Sequence, residues 1–307
     1  MKRGESAFEY FYKGKKVNDT KILSRIADLH IPPGYHNVRI NPDKGARIQW
    51  MAQDDRGRSQ YRYSEETRRD AIEEKYKRMI QFGKVLPSIR TQLKQMIRNP
   101  EYEELATALM LLDFTKLRVG NEKYQEENGT FGITTLEKQH IIRRKTFTEL
   151  RFVGKKGVEN VGRVNNRQVM RVLDRLSCKR KKDDRIFGTI NNDDVNAWIK
   201  QFGPFTARDF RTWGANTLFI KNARCYLQEA SSPAEVKRAI HDAVYDVADV
   251  LSNTKTVCQG HYVDQRLMKW AIDNYDKLRK MRPSSNGQLS SNECLLIKVW
   301  KHIINSS

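Results

Sequence analysis

The sequence is short of acid. Across 307 residues, 37 Asp and Glu face 57 Lys and Arg, a formal net charge of +20 and a pI near 9.8. An excess of that size implies a polyanionic partner; DNA and RNA both satisfy it, and an anionic membrane surface is the weaker alternative. Cysteine is scarce as well. Cys178, Cys225, Cys258 and Cys294 stand far apart, with no Cys-x-x-Cys pair and no nearby His spacing. That pattern argues against a zinc site and a disulfide framework, and reads as reduced thiols of an intracellular protein. No apolar run is long enough to span a bilayer, and Met1-Lys2-Arg3-Gly4 does not open a charged-then-apolar signal segment. Internal repeats and long low-complexity segments are missing too. What remains is 38% hydrophobic and 9% aromatic, enough for genuine cores in one large domain or, preferably, a small one followed by a larger one.

Roughly the first seventy residues read as strands and turns. Residues 8–12 are aromatic-rich and precede a Lys-Gly-Lys turn, and Ile31-Pro32-Pro33-Gly34 is a break. Arg47-Ile48-Gln49-Trp50-Met51 alternates toward the turn signal Asp54-Asp55-Arg56-Gly57, after which Ser59-Gln60-Tyr61-Arg62-Tyr63 alternates back, predicting a hairpin. Basic and aromatic side chains mixed along this arm suit a nucleic-acid face, and equally an ordinary sheet with one solvated side. From Ser64 the texture turns helical. An amphipathic stretch over 65–80 contains or adjoins a domain boundary, and Asn99-Pro100-Glu101 predicts a helix start with Asn as cap. Leu105, Leu109 and Leu112 recur at helical spacing toward Arg118. Residues 146–164 interrupt this trend with a β-hairpin that puts Lys155 at or beside its tip. Helices resume after Asn166, and Val236, Ile240, Val244, Val247 and Leu251 mark one ending just before Asn253.

Five segments in register resemble the type IB DNA topoisomerases of the poxvirus and bacterial kind. They are Asp55-Arg56-Gly57-Arg58-Ser59-Gln60-Tyr61-Arg62-Tyr63, Lys116-Leu117-Arg118-Val119-Gly120 with Gly132-Ile133-Thr134, Phe152-Val153-Gly154-Lys155, Arg208-Asp209-Phe210-Arg211-Thr212-Trp213-Gly214, and residues 253–262 ending in Tyr262. The resemblance covers roughly residues 45–265. It implies an α+β chain, with a small β-rich N-terminal domain (1–75) that clamps DNA. A larger, mainly helical catalytic domain (76–307) of the type IB topoisomerase and tyrosine recombinase kind follows. Where poxvirus members carry histidine, this chain has Asn253, nine residues before Tyr262, as bacterial and some large-virus members do. An asparagine amide donates a hydrogen bond and cannot shuttle a proton near neutral pH.

The chemistry implied is attack of Tyr262 on a phosphodiester of duplex DNA, leaving a 3′-phosphotyrosyl link and a free 5′-hydroxyl. The bond energy stays in that link, so neither ATP nor any cofactor or metal is called for. Arg118 and Arg211 suit the crowded phosphate oxygens, with Asn253 as a neutral third donor. Lys155 is the expected general acid for the departing 5′ oxygen, with Arg118 as possible assistant. Nearby cations should help Tyr262 ionise. His261 is read as a surface or packing residue, because neighbours on a helix point in different directions. Arg58, Gln60, Tyr61, Tyr63, Tyr124 and Arg208 are the expected DNA contacts, the arm tyrosines reading alternatively as core aromatics of a small sheet. The expected partner is double-stranded DNA alone, engaged by a monomer. A tyrosine recombinase is the nearest competing reading, since it uses the same chemistry, and a non-enzymatic DNA-binding protein is the other. Recombinases usually carry His-x-x-Arg where this chain has Arg208-Asp209-Phe210-Arg211, and a helical amino-terminal domain.

Overall fold

The structure is a computed structural model that describes residues 9–305; Phe8 and Met1-Lys2-Arg3-Gly4 lie outside the described residues. It divides into two compact units, Met1–Lys75 and Tyr76–Ser307.

The first unit is β-rich. A two-residue pair, β1 (Phe11–Tyr12) and β2 (Lys15–Lys16), closes around Lys13 and Gly14, both at positive φ. Helix α1 (Thr20–Asp28), which the strand-and-turn reading of this region missed, follows. Its signal is Asp19, whose carboxylate accepts the N–H groups of Lys21 and Ile22 and so satisfies two donors that helix geometry leaves orphaned. A three-stranded antiparallel sheet has the order β3 (His36–Ile40), β4 (Ile48–Gln53), β5 (Ser59–Tyr63). The turn between β4 and β5 is stapled by Asp54, which accepts from Arg56 N, Arg58 N, Arg58 Nε and Gln60 Nε2. The side-chain hydrogen bond from Arg58 is the largest cause that holds the Asp54 carboxyl down at about 2. Trp50 and Ala52 are buried, and the Trp50 ring meets Tyr35 edge-on at 5.9 Å while its indole N–H donates to Leu29 O. Period-two alternation puts Ser59, Tyr61 and Tyr63 on the opposite, exposed side of β5. The arm tyrosines are therefore surface residues, and the alternative that placed them in a core is overturned.

Helix α2 (Glu65–Met96) is twice as long as the sequence pattern suggests and contains the division at 75/76. The expected helix start at Asn99 is displaced. Asn99 Oδ1 accepts from Glu101 N and Asn99 O from Tyr102 N, so the residue closes a turn on itself, and α3 (Glu103–Thr115) begins only after Tyr102. Next come α4 (Glu122–Asn128) and a second antiparallel sheet, β6 (Ile141–Arg143), β7 (Thr148–Val153), β8 (Glu159–Val164). β7 and β8 form the hairpin around Lys155, and β6 is an added strand. The rest is helical: α5 (Arg167–Ser177), α6 (Asn192–Lys200), α7 (Ala207–Tyr226), α8 (Pro233–Val250), α9 (Lys255–His261), α10 (Gln265–Asp273), α11 (Tyr275–Lys280) and α12 (Ser291–Asn305).

The core of the second unit gathers around α7. Phe82 meets Phe205, Phe210 and Trp213 edge-on, at 5.3, 5.1 and 6.1 Å. Each such ring removed from water contributes roughly 1.5–3 kcal/mol. Gly83 makes the close approach possible, because a Cβ there would stand 2.3 Å from the Trp213 ring. Among the described residues no helix is long and apolar enough to cross a membrane.

Candidate active site

Two loop segments and one helix bring the site together. The first loop leaves α3 through Lys116, in the left-handed conformation (φ 58°), so that Leu117 is buried and Arg118 half-buried. Its path is fixed by Ile133 N donating to Arg118 O and Thr134 N to Val119 O. Gly120 (φ +100°) and Gly132 touch, and a Cβ on Gly132 would sit 2.4 Å from Gly120 Cα and 2.8 Å from Arg118 O. Larger residues there would push the arginine loop outward.

Helix α7 supplies Arg208 and Arg211. Its start is locked by Asp209, whose carboxylate accepts from Thr206 N and from Arg78 Nη2 at 3.0 Å. Arg211, 2% exposed, donates from Nη1 to Lys116 O at 2.6 Å and from Nη2 to Leu251 O, so two loop ends hang on one guanidinium. Its Nε is buried without a partner. Burial and the neighbouring charge of Arg118 pull the Arg211 guanidinium down to about 10.

The third segment turns at Ser252 (φ 46°) and places Asn253 on Arg118: Asn253 Oδ1 accepts from Arg118 Nη2 at 2.9 Å, while Nδ2 is buried with no partner. The carbonyl side of this amide is used, so the free group is a donor. Thr254 then caps α9 by accepting from Val257 N, and the helix ends one residue before Tyr262. His261 is exposed, as expected of a surface residue.

Tyr262, only 7% exposed, has two guanidinium groups near its ring, with Arg211 Cζ 5.1 Å and Arg208 Cζ 5.5 Å from the ring centroid. Burial alone would push its phenol up. The charges of Arg211, Arg118 and Arg208, joined by a hydrogen bond from Arg211, outweigh burial and hold the phenol below its ordinary range. By contrast, the buried Cys258 thiol one turn earlier is pushed up to about 11, which makes it a poor nucleophile.

The structure thus brings together Tyr262, Arg118, Arg211, Asn253 and Arg208. Lys155 is not part of that cluster. It sits exposed in the tight turn joining β7 to β8, a turn shaped by Lys156 and Gly157 at positive φ. Tyr124 is exposed on α4, and in the first unit Tyr61 and Tyr63 are exposed while Gln60 and Arg58 are tied to Asp54. Sequence reasoning missed Asn216 and Tyr76. Asn216 Nδ2 and Tyr76 Oη both donate to Tyr262 O, at 2.8 and 3.4 Å. No local pattern marks either residue.

Known proteins are similar to this chain over most of its length. A family described as eukaryotic DNA topoisomerase I, catalytic core, matches residues 64–284, and one described as bacterial DNA topoisomerase IB, N-terminal domain, matches residues 7–54. The DNA topoisomerase 1B of Acanthamoeba polyphaga mimivirus is 28% identical over 296 residues, covering 89% of this chain and 86% of its own. The DNA topoisomerase 1 of Rabbit fibroma virus (strain Kasza) is 24% identical over 278 residues, with 88% and 85% covered. The DNA topoisomerase 1B of Vaccinia virus (strain Copenhagen) is 24% identical over 283 residues, with 86% and 90% covered. With two family matches in chain order, and the second spanning the whole arginine–tyrosine cluster, the chain belongs to the type IB DNA topoisomerases.

Proposed function

We propose that the chain relaxes supercoiled duplex DNA with Tyr262 as nucleophile and Arg118, Arg211, Asn253 and Lys155 as the groups that assist it. The phenol oxygen forms a bond to phosphorus as the bond from phosphorus to the 5′ oxygen breaks. The products are a 3′-phosphotyrosyl link and a 5′-hydroxyl. The free strand swivels, the 5′-hydroxyl attacks the link, and Tyr262 is released. Both transfers exchange one phosphodiester for another, so no ATP is consumed.

The observation that carries this reading is a buried phenol held below its ordinary pKa beside two buried donors that have no protein partner, Arg211 Nε and Asn253 Nδ2. Buried polar groups are nearly always paired. Orphan donors on residues bonded to or stacked on the arginine–tyrosine cluster suit a ligand with several acceptor oxygens, which a phosphodiester is. Charge grows on those oxygens in the transition state, where donors already in place stabilise it with little reorganisation. Lys155 delivers a proton to the leaving 5′ oxygen from the hairpin tip. Tyr124 and Arg208 contact phosphates near the site. Arg58, Gln60, Tyr61 and Tyr63 give the first unit its own DNA surface, with the exposed tyrosines, their ring centroids 6.4 Å apart, toward the duplex. The protein acts on DNA as a monomer inside the cell.

Plasmid relaxation tests the reading. The protein is expected to relax supercoiled plasmid without ATP, at a rate first order in monomer and with no paired target sites, and Tyr262→Phe is expected to bind the same duplex but to relax none of it. Relaxation by Tyr262→Phe would refute the nucleophile assignment, and a requirement for two paired sites would point to recombination instead.

A further inference from the structure

The family match to the catalytic core stops at residue 284, yet α12 (Ser291–Asn305), beyond it, is tied into the site at two buried points. At its start, Glu293 accepts from Trp213 Nε1 at 2.8 Å and from Arg90 Nη2 at 2.8 Å. Trp213 lies on α7, two residues after Arg211. Two turns further along α12, Trp300, 1% exposed, donates its indole N–H to Asp264 Oδ2 at 3.2 Å. Asp264, 0% exposed, is two residues after Tyr262, and its own N–H donates to Asn216 Oδ1 at 2.9 Å.

Asn216 closes the circuit. It is on α7, five residues after Arg211, and is 0% exposed. Its amide accepts from Asp264 N and donates to Tyr262 O, so it pairs with the main chain on both sides of Val263 as a neighbouring strand would. The same Nδ2 donates back to Thr212 O within α7. The segment that carries the phenol is therefore hung from the helix that carries its guanidinium partner, and Trp300 secures the far side through Asp264.

We propose that α12 is a positioning element of the active site: Trp300, through Asp264 and Asn216, sets where the Tyr262 phenol lies relative to Arg211. The proposal rests on the reading of Tyr262 as nucleophile. Positioning is needed here because α9 spans only seven residues and Tyr262 has already left the helix, at φ −123° and ψ −48°, so the local backbone does not aim the side chain by itself. In-line attack tolerates little misplacement, an ångström costing on the order of a hundredfold in rate.

Trp300→Phe separates positioning from bulk packing. It keeps a ring against Tyr76 and Trp213, whose centroids are 5.8 and 5.9 Å away, and removes the N–H. Ile297→Ala is the control, since it removes packing from the same helix without touching that bond. The groups that set the phenol's ionisation are Arg208 and Arg211 of α7, Arg118 of the loop after α3, and Cys258 of α9 only through Arg211. Single-turnover cleavage of a duplex at saturating protein is measured across pH. For Trp300→Phe the expected result is cleavage about tenfold slower, from one lost hydrogen bond and a displaced phenol. DNA affinity should be unchanged and the acid limb of the rate profile displaced to higher pH. Ile297→Ala is expected to lower the thermal midpoint and leave that limb in place. Should Trp300→Phe not fold, Trp300→Leu, which keeps apolar bulk, likewise removes the indole N–H and leaves the Arg266–Asp264 ion pair in place, is held to the same criteria. Wild-type rate and limb in the tested variant, or an equal displacement in Ile297→Ala, would overturn the proposal. Tyr262→Phe run alongside separates the two claims: if it still forms the covalent adduct the nucleophile reading fails, and if it is inert while Trp300→Phe is unaltered only the positioning role fails.

Discussion

Arg211 and Lys155 both assist one displacement in the proposed mechanism, and they are held in opposite ways. Arg211 is 2% exposed, bonded to Lys116 O and Leu251 O, and already within 5.1 Å of the tyrosine ring centroid. Lys155 is exposed at the tip of a hairpin, outside the buried cluster. The difference follows from their tasks. A donor that stabilises growing charge works best when it is fixed and dry before the reaction begins. A proton donor must meet the leaving oxygen where the DNA puts it, which a long side chain at an exposed hairpin tip is free to do. The buried half of the site is a property of the folded chain, and the exposed half takes its geometry from the substrate.

That contrast can be broken most severely at Arg211. Arg211→Lys keeps one charge but cannot bond both carbonyls and a phosphate, so single-turnover cleavage should fall about 10³-fold, at the upper end for loss of one oxyanion donor. A loss under tenfold would mean that the buried cluster is not preorganised as described. Lys155→Ala should fall about 10²-fold, a typical general-acid contribution. Because its task is proton delivery, a substrate with a sulfur leaving atom at the 5′ position, which needs no proton, should restore most of the rate. The same substrate should do nothing for Arg211→Lys, and rescue of both variants or neither would erase the division of labour.

Arg208→Gln probes the boundary between the two regimes, and its effect should be the smallest. Arg208 is exposed but close enough to lower the phenol's pKa. With its charge removed, the pKa rises, less phenolate is present at a given pH, and the acid limb of the rate profile moves to higher pH. As a phosphate contact it should also reduce by about one the slope of log affinity against log salt. An unchanged limb would show that Arg208 is a DNA contact only.

The legible parts of the fold were those that local chemistry decides. Asn166, where the helical pattern resumes, caps α5 through its own side chain, Val236, Ile240, Val244 and Val247 are buried along α8, and the alternation along β8 follows from one buried face. Asn99 failed as a cap because its side chain found a nearer donor in Glu101 N, and α1 was missed because a nine-residue helix among turns gives little periodicity to read. At the site, Tyr262, Arg118, Arg211 and Asn253 were legible only as a set of motifs in order, since a lone arginine is ordinarily a solvated surface residue. Asn216, Tyr76 and Trp300 were not legible at all. Asn216 and Tyr76 earn their place through bonds to the main chain of residue 262, 46 and 186 residues away, and Trp300 through a carboxylate 36 residues away. Contacts of that range exist only once the helices have packed.

The central claim is that one tyrosine takes the phosphate. Wild-type protein trapped on duplex DNA by denaturant, digested with protease and nuclease, and sequenced by mass spectrometry reports the modified residue directly. The account predicts a nucleotide joined through its 3′ phosphate to the peptide carrying Tyr262 and to no other; a nucleotide on another tyrosine, or on a serine, or joined through a 5′ phosphate, would contradict it.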